Sequence, residues 1–498
     1  MSDRRDITRR EFLKSAGAAS VGLALAGAMP SQAAPTDKRP NILFVIADDW
    51  SFPHAGVYGD KVVKTPNFDK VAASGVVFTN SFCAAPTCTG SRGAILTGQH
   101  VHRLDEGANL YGFLPKNLAV YPDILETAGY SVGFALKGHG PAPADKGGRP
   151  RNPAGPSFSN FKTFMAQTPA DKPFCFWWGS HFPHRDYKED SGINSGMKLE
   201  DVKVPGFLPD TPEVRGDILD YYYAVEQFDK QLGECLEVLE QSGRAENTMV
   251  VVTGDNGMPF PRSKANLYGI GVHMPLAIRW PGKTIVGHKV DEVVSHTDFA
   301  PTFLEAAGIK PPSEMTGRSM IELLMWPAER DFIVTERERH VNCRKGDRAY
   351  PCRSFRTREF NYIRNFEPDL WPAGDPEMWV GVGDFGDIDT GPSKNVILSR
   401  RDDPKIKPFF DLATAERPAE ELFDVRNDPW ELHNLADDPK YANTKKQLSD
   451  RLDAWMKETA DPRATNPHDD RWDKYVYAGT ARPWVNKGAK PKKEQKTL

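Results

Sequence analysis

The sequence has 498 residues, of which 39% are hydrophobic and 27% are charged, and its formal net charge is −4. This length exceeds what one compact core usually holds, so we expect a large domain and a smaller one. The slightly acidic balance excludes a broad basic field of the kind that binds nucleic acid. An anionic ligand would therefore need positive charge concentrated at its own site.

The first 34 residues are typical of an export signal. Residues 8–14 (TRREFLK) match the twin-arginine pattern, an uncharged stretch follows at 15–29, and Ala33 and Ala34 lie near a cleavage point. The uncharged stretch is too short to span a bilayer comfortably, and a basic N-terminal helix is the alternative. We expect removal of residues 1–34 on export by the twin-arginine machinery, with the mature protein in the periplasm or secreted.

Three apolar runs predict strands that are buried on both faces of a parallel sheet. They lie at residues 42–47, 173–178 and 248–253. Polar pairs follow the runs, namely Asp48-Asp49, Ser180-His181 and Asp255-Asn256. In open α/β sheets ligands bind at the carboxyl edge of the strands, so a site is expected there.

Helical patterns at residues 217–242 and 296–308 lie between or after these strands. The alternation predicts an α/β domain over residues 35–330, with a large doubly wound mixed or parallel sheet flanked by helices. Short strand patterns and one amphipathic helix predict a smaller C-terminal α+β subdomain over residues 331–470. Residues 471–498 are expected to form a tail, whose lysine-rich part at 485–498 is expected to be mobile.

Two polar pairs at strand ends predict a site for a hard divalent cation. Adjacent carboxylates such as Asp48 and Asp49 repel each other unless positive charge lies between them. Together with Asp255 and Asn256 they offer three carboxylates and one amide oxygen, which suit Ca²⁺ or Mg²⁺. The alternative is that each pair caps a following helix or turn.

Cys88 precedes a run of small residues and could sit at a helix N-terminus, where a nucleophile or anion is favoured. The alternative is a buried, inert thiol. The six cysteines show no CxxC and no zinc-like pattern. Cys343 and Cys352 could form a short-loop disulfide after export or remain separate thiols.

The segment from Cys88 to Gly98 resembles the sulfatase signature, in which Cys-x-Pro-Ser-Arg is followed by Leu-Thr-Gly. Further segments resemble other elements of that family, namely residues 41–49, 137–139, 180–185 and 421–436. Residues 254–268 are similar to the N-sulfoglucosamine sulfohydrolase branch of the family. Two positions depart from these patterns: Gly90 stands where the family has Pro or sometimes Ala, and Lys264 stands where that branch has Arg.

The resemblance implies an alkaline phosphatase-like fold and hydrolysis of an O-sulfate or N-sulfate on a sulfated saccharide. It implies one divalent cation, Ca²⁺ rather than Mg²⁺, and conversion of Cys88 to formylglycine by a maturing enzyme. The hydrate of formylglycine supplies two hydroxyl groups, one to attack sulfur and one to release sulfate. Arg92 would hold the hydrate, His181 would protonate the leaving group, and His139 would deprotonate the second hydroxyl.

By the same resemblance, Lys137 and Lys264 would neutralise the sulfate oxygens. His184, His340 and Arg353 are candidates for the sugar pocket. The alternative for His184 is that it orients its neighbours, and the alternative for His340 and Arg353 is a surface or disulfide-loop position. Two alternatives stay open. One is a phosphoester or phosphonate hydrolase of the same superfamily, and the other is an inactive sulfoglycan-binding protein that keeps Cys88 unmodified.

Overall fold

The computed structural model describes residues 39–326, 328–377 and 383–475. The predicted signal peptide, residues 1–34, lies outside the described residues. Within the described part of the chain, no helix is long and apolar enough to cross a membrane.

The strands that the structure describes follow one another in chain order as β1 (Asn41–Ala47), β2 (Val76–Phe82), β3 (Ser131–Leu136), β4 (Phe174–Gly179), β5 (Thr248–Gly254), β6 (His273–Arg279), β7 (His288–Val290), β8 (Val294–Ser295), β9 (Phe332–Arg337), β10 (Cys352–Thr357), β11 (Phe360–Asn365) and β12 (Glu420–Asp424). The described α-helices are α1 (Pro66–Ala73), α2 (Cys88–Thr97), α3 (Tyr121–Thr127), α4 (Phe161–Gln167), α5 (Ser191–Asn194), α6 (Pro212–Gln241), α7 (Gly269–Val272), α8 (Phe299–Ala306), α9 (Pro392–Ser399), α10 (Lys407–Thr414), α11 (Ala442–Glu458) and α12 (Arg471–Lys474).

The large sheet has the strand order β3-β4-β1-β5-β6-β2-β7, and β8 pairs with β2. The run β3-β4-β1-β5 is parallel throughout. Strand β6 is antiparallel to both β5 and β2, so the sheet is mixed. The three predicted buried strands are β1, β4 and β5, and they are neighbours. Their carboxyl ends therefore lie side by side at one edge.

Side chains of β1 alternate between two hydrophobic cores, one on each face of the sheet. One core receives Leu43, Val45 and Ala47, and the other receives Ile42, Phe44 and Ile46. Helix α6 contributes Leu219 and Phe228 to the first core, and α8 contributes Phe299 and Phe303 to the second. Each fully buried Phe or Leu of this kind stabilises the fold by about 1.5–3 kcal/mol. The central position of β1 thus gives the residues after it a rigid support.

Helix α6 begins at Pro212, before the predicted start at residue 217. The side chain of Thr211 accepts a hydrogen bond from the backbone N–H of Val214, and proline follows at the first helical position. Both features are helix-start signals, because they suit the unpaired N–H groups of the first turn. Asp217 of this helix pairs with Arg185, which lines the cavity described below.

The predicted C-terminal α+β subdomain is an antiparallel sheet of order β12-β11-β10-β9. Helix α11 packs on it through Leu448, Leu452 and Trp455. Cys343 and Cys352 are both free thiols in this structure.

The predicted tail begins later than residue 471. Residues Arg471–Lys474 form the short helix α12, and Trp472 within it is fully buried. A tryptophan side chain carries enough apolar area to hold the segment against the core. The residues of the predicted tail from 476 onward lie outside the described part of the chain.

Candidate active site

Four loops meet at the carboxyl edge of β3, β4, β1 and β5. Backbone hydrogen bonds continue the strand pairing beyond the strand ends. The N–H of Asp48 donates to the carbonyl of Phe182 at 2.9 Å, and that of Asp255 donates to the carbonyl of Ala47 at 3.1 Å. The N–H of Lys137 likewise donates to the carbonyl of Gly179 at 2.8 Å. Residues distant in sequence are thereby held in one plane.

The acids predicted to bind a cation form one buried cluster. Carboxylate oxygens of Asp48, Asp49 and Asp255 lie within 4.8 Å of one another. The side-chain amide of Asn256 donates through Nδ2 to Asp49 Oδ1 at 2.7 Å. Its carbonyl oxygen Oδ1 is buried and has no hydrogen-bond partner among the described residues. An unsatisfied buried carbonyl costs about 1–3 kcal/mol, and a hard cation beside three carboxylates would satisfy it. The residues present therefore fit a divalent cation.

Two cations pair with Asp255 and Asp48 in this cluster, and a third, Lys264, pairs with Asp49. Arg92 Nε donates to Asp255 Oδ2 at 2.7 Å, and Lys137 Nζ donates to Asp48 at 2.6 and 2.8 Å. Burial alone would raise the pKa of Asp48, but Lys137 and Arg92 outweigh it and hold that pKa well below its usual range. Burial raises the pKa of Asp255 to about 6 despite Arg92. The nearby cations therefore do not fully offset the cost of burying the charge of Asp255.

Lys264 has two acidic partners. Its Nζ donates to Asp49 Oδ2 at 2.8 Å and to Asp389 Oδ2 at 3.1 Å. Burial opposes the charge, but Asp389 and Asp49 raise the pKa of Lys264 well above its usual value. Sequence reasoning did not find Asp389. It follows no predicted strand and belongs to no motif, and it meets Lys264 only through space, 125 positions away.

Cys88 is the first residue of α2 and is 4% exposed, on the wall of a cavity of about 710 Å³. Burial raises the pKa of its thiol; Lys137 opposes this and Asp48 adds to it. An unmodified Cys88 is therefore protonated at neutral pH, and a protonated thiol is a weak nucleophile. A residue at the N-terminus of α2 on the cavity wall is well placed for a nucleophile, but a protonated thiol is a poor one.

Two polar atoms beside α2 lack hydrogen-bond partners among the described residues. Arg92 lies one turn beyond Cys88, and its buried Nη2 has no hydrogen bond but lies 3.7 Å from Asp48 Oδ1 as an ion pair. The Nε2 atom of His139 is also buried and unpaired, and it faces α2 at Gly93, where an added Cβ would lie 3.5 Å away. Both atoms can form a hydrogen bond with a hydroxyl group, and the hydrate of a formylglycine carries two hydroxyl groups where the thiol carries none. The residues around Cys88 therefore fit its formylglycine form.

Gly90 has a local packing reason. A Cβ at this position would lie 3.1 Å from the carbonyl oxygen of Ala108 and 3.1 Å from the Cβ of Ala85. That is tighter than ordinary van der Waals contact, so the turn that ends at Ala108 packs against a glycine. The packing of α2 in this chain therefore accounts for the glycine at position 90, where the family signature has Pro or Ala.

The predicted histidines occupy different depths. His181 is exposed and lines the cavity together with His184 and His340. Partial burial lowers the pKa of His181. His139 is 3% exposed and lies behind the cavity wall, where burial lowers its pKa to about 3 and keeps the ring neutral. The Nδ1 atom of His340 lies 2.9 Å from Thr87 Oγ1, beside the nucleophile position.

Arg353 does not line the cavity, contrary to the prediction. Its side chain is fully buried, and its guanidinium donates to Asp461 at 2.7 Å and to Glu338 at 2.8 Å. The remaining nitrogen donates to backbone carbonyls, including that of Cys352 at 3.0 Å. With its donors engaged inside the C-terminal sheet, Arg353 is a structural residue.

Comparison with known families agrees with this geometry. A family model described as Sulfatase matches residues 40–150 and 155–309, more than half of the chain. A second model, described as N-sulphoglucosamine sulphohydrolase, C-terminal, matches residues 262–375.

Relatives match over most of their length. The chain is 29% identical over 479 residues to the N-sulphoglucosamine sulphohydrolase of Homo sapiens, covering 86% of this chain and 92% of that protein. It is 28% identical over 446 residues to an ulvan-active sulfatase of Formosa agariphila, covering 86% and 82%. A structure solved in complex with its substrate D-glucosamine-2-N,6-O-disulfate superposes with a TM-score of 0.61 at 19% identity, covering 88% of this chain and all of that one. The chain therefore belongs to the sulfatase family and is a sulfuric ester hydrolase.

Proposed function

We propose that the protein is a formylglycine-dependent and Ca²⁺-dependent sulfatase that releases sulfate, from an O-sulfate or an N-sulfate, on a sulfated saccharide. One observation carries the proposal. Cys88 begins a helix at a cavity wall, near two lysines and the buried acid cluster, with a thiol that is protonated and with unpaired polar atoms beside it. The names of the human and Formosa relatives support a saccharide substrate.

The proposed groups would contribute two things when present. The cation held by Asp48, Asp49, Asp255 and Asn256 would supply positive charge, and formylglycine at position 88 would supply a hydrated aldehyde in place of the thiol. Ca²⁺ is favoured over Mg²⁺ because the protein offers at least four oxygen donors. Mg²⁺ usually keeps several of its water ligands and binds only one or two carboxylates.

The charges of the chain itself suit a singly charged sulfate. Three buried cations lie among four carboxylates, which leaves one negative charge, namely Arg92, Lys137 and Lys264 against Asp48, Asp49, Asp255 and Asp389. A divalent cation reverses that balance to one positive charge. Lysines now paired with cation-ligand carboxylates would then be able to bind the sulfate oxygens as charge develops.

Proton transfer is assigned to two histidines that differ in their depth in the protein. His181 is exposed in the cavity, where a leaving oxygen or nitrogen would need a proton. His139 is buried and neutral, and its unpaired Nε2 can accept a proton from a hydroxyl at position 88. The difference in depth separates the acid from the base.

Export and maturation form part of the same proposal. Residues 1–34 would direct the folded protein through the twin-arginine machinery to the periplasm or beyond. Because Cys88 is 4% exposed in the folded chain, a maturing enzyme would need to act on it before folding is complete. Modification before export suits a route that carries folded proteins.

The decisive experiment measures both the modification and the activity. The tryptic peptide of residues 71–92 contains Cys83 and Cys88, and conversion of Cys88 lowers its mass by about 18 Da. We expect that loss in protein co-expressed with a maturing enzyme, together with sulfate release from an aryl sulfate in preference to phosphate release from the matching aryl phosphate. Cys88→Ser should abolish both, whereas Cys83→Ser is the matched control and should retain them.

Two results would contradict the proposal. An intact thiol at position 88 in fully active protein would exclude formylglycine dependence. A preference for the aryl phosphate would favour the phosphoester alternative. Sulfate release is then screened on N-sulfoglucosamine, on O-sulfated hexosamines and on ulvan oligosaccharides, which separates N-sulfate from O-sulfate substrates.

A further inference from the structure

The lining of the cavity beside Cys88 is chemically mixed. It includes the apolar side chains of Leu110, Phe134 and Leu136. It also includes the carboxylates of Asp186 and Asp389. Acidic side chains are unexpected here, because an anionic group must enter this cavity and like charges repel. Neither carboxylate belongs to the cation cluster.

Of these two acids, Asp389 is the one linked to the reacting groups, because it shares Lys264 with Asp49. Its Oδ2 accepts from Lys264 at 3.1 Å, and no hydrogen bond to its Oδ1 occurs among the described residues. The side chain is 27% exposed, toward the cavity that it lines. Lys264 and His340 outweigh its burial and lower the pKa of Asp389 to about 2, so it is ionised.

The segment that carries Asp389 is held rigidly. Its neighbour Asp387 is buried and accepts hydrogen bonds from Arg337 at 2.6 Å and from Arg344 at 2.7 Å. The carbonyl of Ile388 accepts from Lys394 Nζ at 2.7 Å. A side chain fixed in this way is suited to recognition, because little freedom is lost when a ligand binds. The buried Arg344 does not line the cavity, and its contribution is to hold Asp387 and thereby the segment that carries Asp389.

We propose that Asp389 is a specificity-determining residue that accepts a hydrogen bond from a hydroxyl or ammonium group adjacent to the sulfate and excludes a second anionic group from that place. The inference rests on the proposed function, because it assigns a contact to the saccharide. Its physical basis is double. A carboxylate is acceptor-only, so it selects donors, and its fixed negative charge penalises a neighbouring sulfate or carboxylate on the sugar.

The effect of Asp389 on substrate choice can be separated from its effect on Lys264. Asp389→Asn keeps the size of the side chain and one acceptor oxygen but removes the charge. A change in the contact of Lys264 with the reacting sulfate affects both substrates of a pair, because both carry that sulfate. The ratio of kcat/KM between a monosulfated sugar and the same sugar with a second sulfate therefore cancels that contribution and reports on recognition alone.

The experiment compares each monosulfated sugar with a counterpart that carries a second sulfate on the adjacent carbon, for example N-sulfoglucosamine with glucosamine N,3-disulfate. We expect the wild type to prefer the monosulfated sugar, and Asp389→Asn to reduce that preference about tenfold or more, because the substitution removes a like-charge contact. Asp186→Asn is the matched control, because Asp186 lines the same cavity and is exposed, whereas the acidic partners of Lys264 among the described residues are Asp49 and Asp389.

Three outcomes would overturn the inference: an unchanged ratio in Asp389→Asn, the same shift in Asp186→Asn, or a wild type that prefers the doubly sulfated sugar. The third outcome is measured on the wild type alone, so the inference can be refuted even if Asp389→Asn folds poorly. A wild type that releases sulfate from no saccharide refutes the proposed function instead, and the inference falls with it.

Discussion

Replacing Arg353 with methionine tests whether this arginine supports the fold or the substrate. Methionine keeps much of the length and apolar stem of the side chain and removes its charge. In the folded protein Arg353 is fully buried and forms ion pairs with Glu336, Glu338 and Asp461 at 3.3, 2.8 and 2.7 Å.

The size of the effect follows from the partners that remain. Glu338 keeps its ion pair with Arg463 at 2.7 Å, and Glu336 keeps His102 at 2.8 Å. Asp461 loses its arginine and keeps the backbone N–H of Arg463 at 3.0 Å. One buried carboxylate is thus left without adequate compensation, and breaking such a pair costs about 3–5 kcal/mol. We expect a loss of that size in the free energy of unfolding.

The control lies directly opposite on the next strand. Arg364 pairs in register with Arg353 across β10 and β11, but its partner Asp453 is half-exposed. Arg364→Met should therefore cost only about 0–1 kcal/mol. Guanidinium unfolding measures both variants, and kcat/KM for sulfate release is measured on the folded fraction. A raised KM in Arg353→Met without loss of stability would refute the structural assignment and restore Arg353 to the sugar pocket.

Two further predictions concern the metal and the pH. Chelation should lower the unfolding midpoint of the wild type, and Ca²⁺ at about 100 times its Kd should restore about 2.7 kcal/mol of unfolding free energy. If chelation does not change the stability of the wild type although Asp48→Asn does lower it, the acid cluster acts only as a capping network. His102 and Arg353 outweigh the burial of Glu336 and lower its pKa to about 2, against about 4.3 when unfolded. The stabilisation is therefore present above pH ~4.3 and is lost as the pH falls toward 2. Unfolding free energies against pH should decline more steeply in wild type than in Glu336→Gln, and superimposable curves would contradict this.

The sequence by itself determined the strands that carry the site. Apolar runs with polar residues at their carboxyl ends predicted β1, β4 and β5, because strands buried on both faces need continuous hydrophobic side chains. Asp48 and Asp255 were assigned together on that basis, and they share one buried cluster. Local order along the chain was sufficient, because these residues follow directly from strand ends.

The tertiary structure alone decided which distant side chains meet. The pairing of Lys264 with Asp389 joins residues 125 positions apart, and no local pattern marks either of them as a partner of the other. Arg353 was a candidate for the sugar pocket from sequence, yet in the structure it is buried among three carboxylates from other segments. Burial and charge at such positions are properties of the packed molecule, since they depend on which elements come together and not on the residues beside them in the chain.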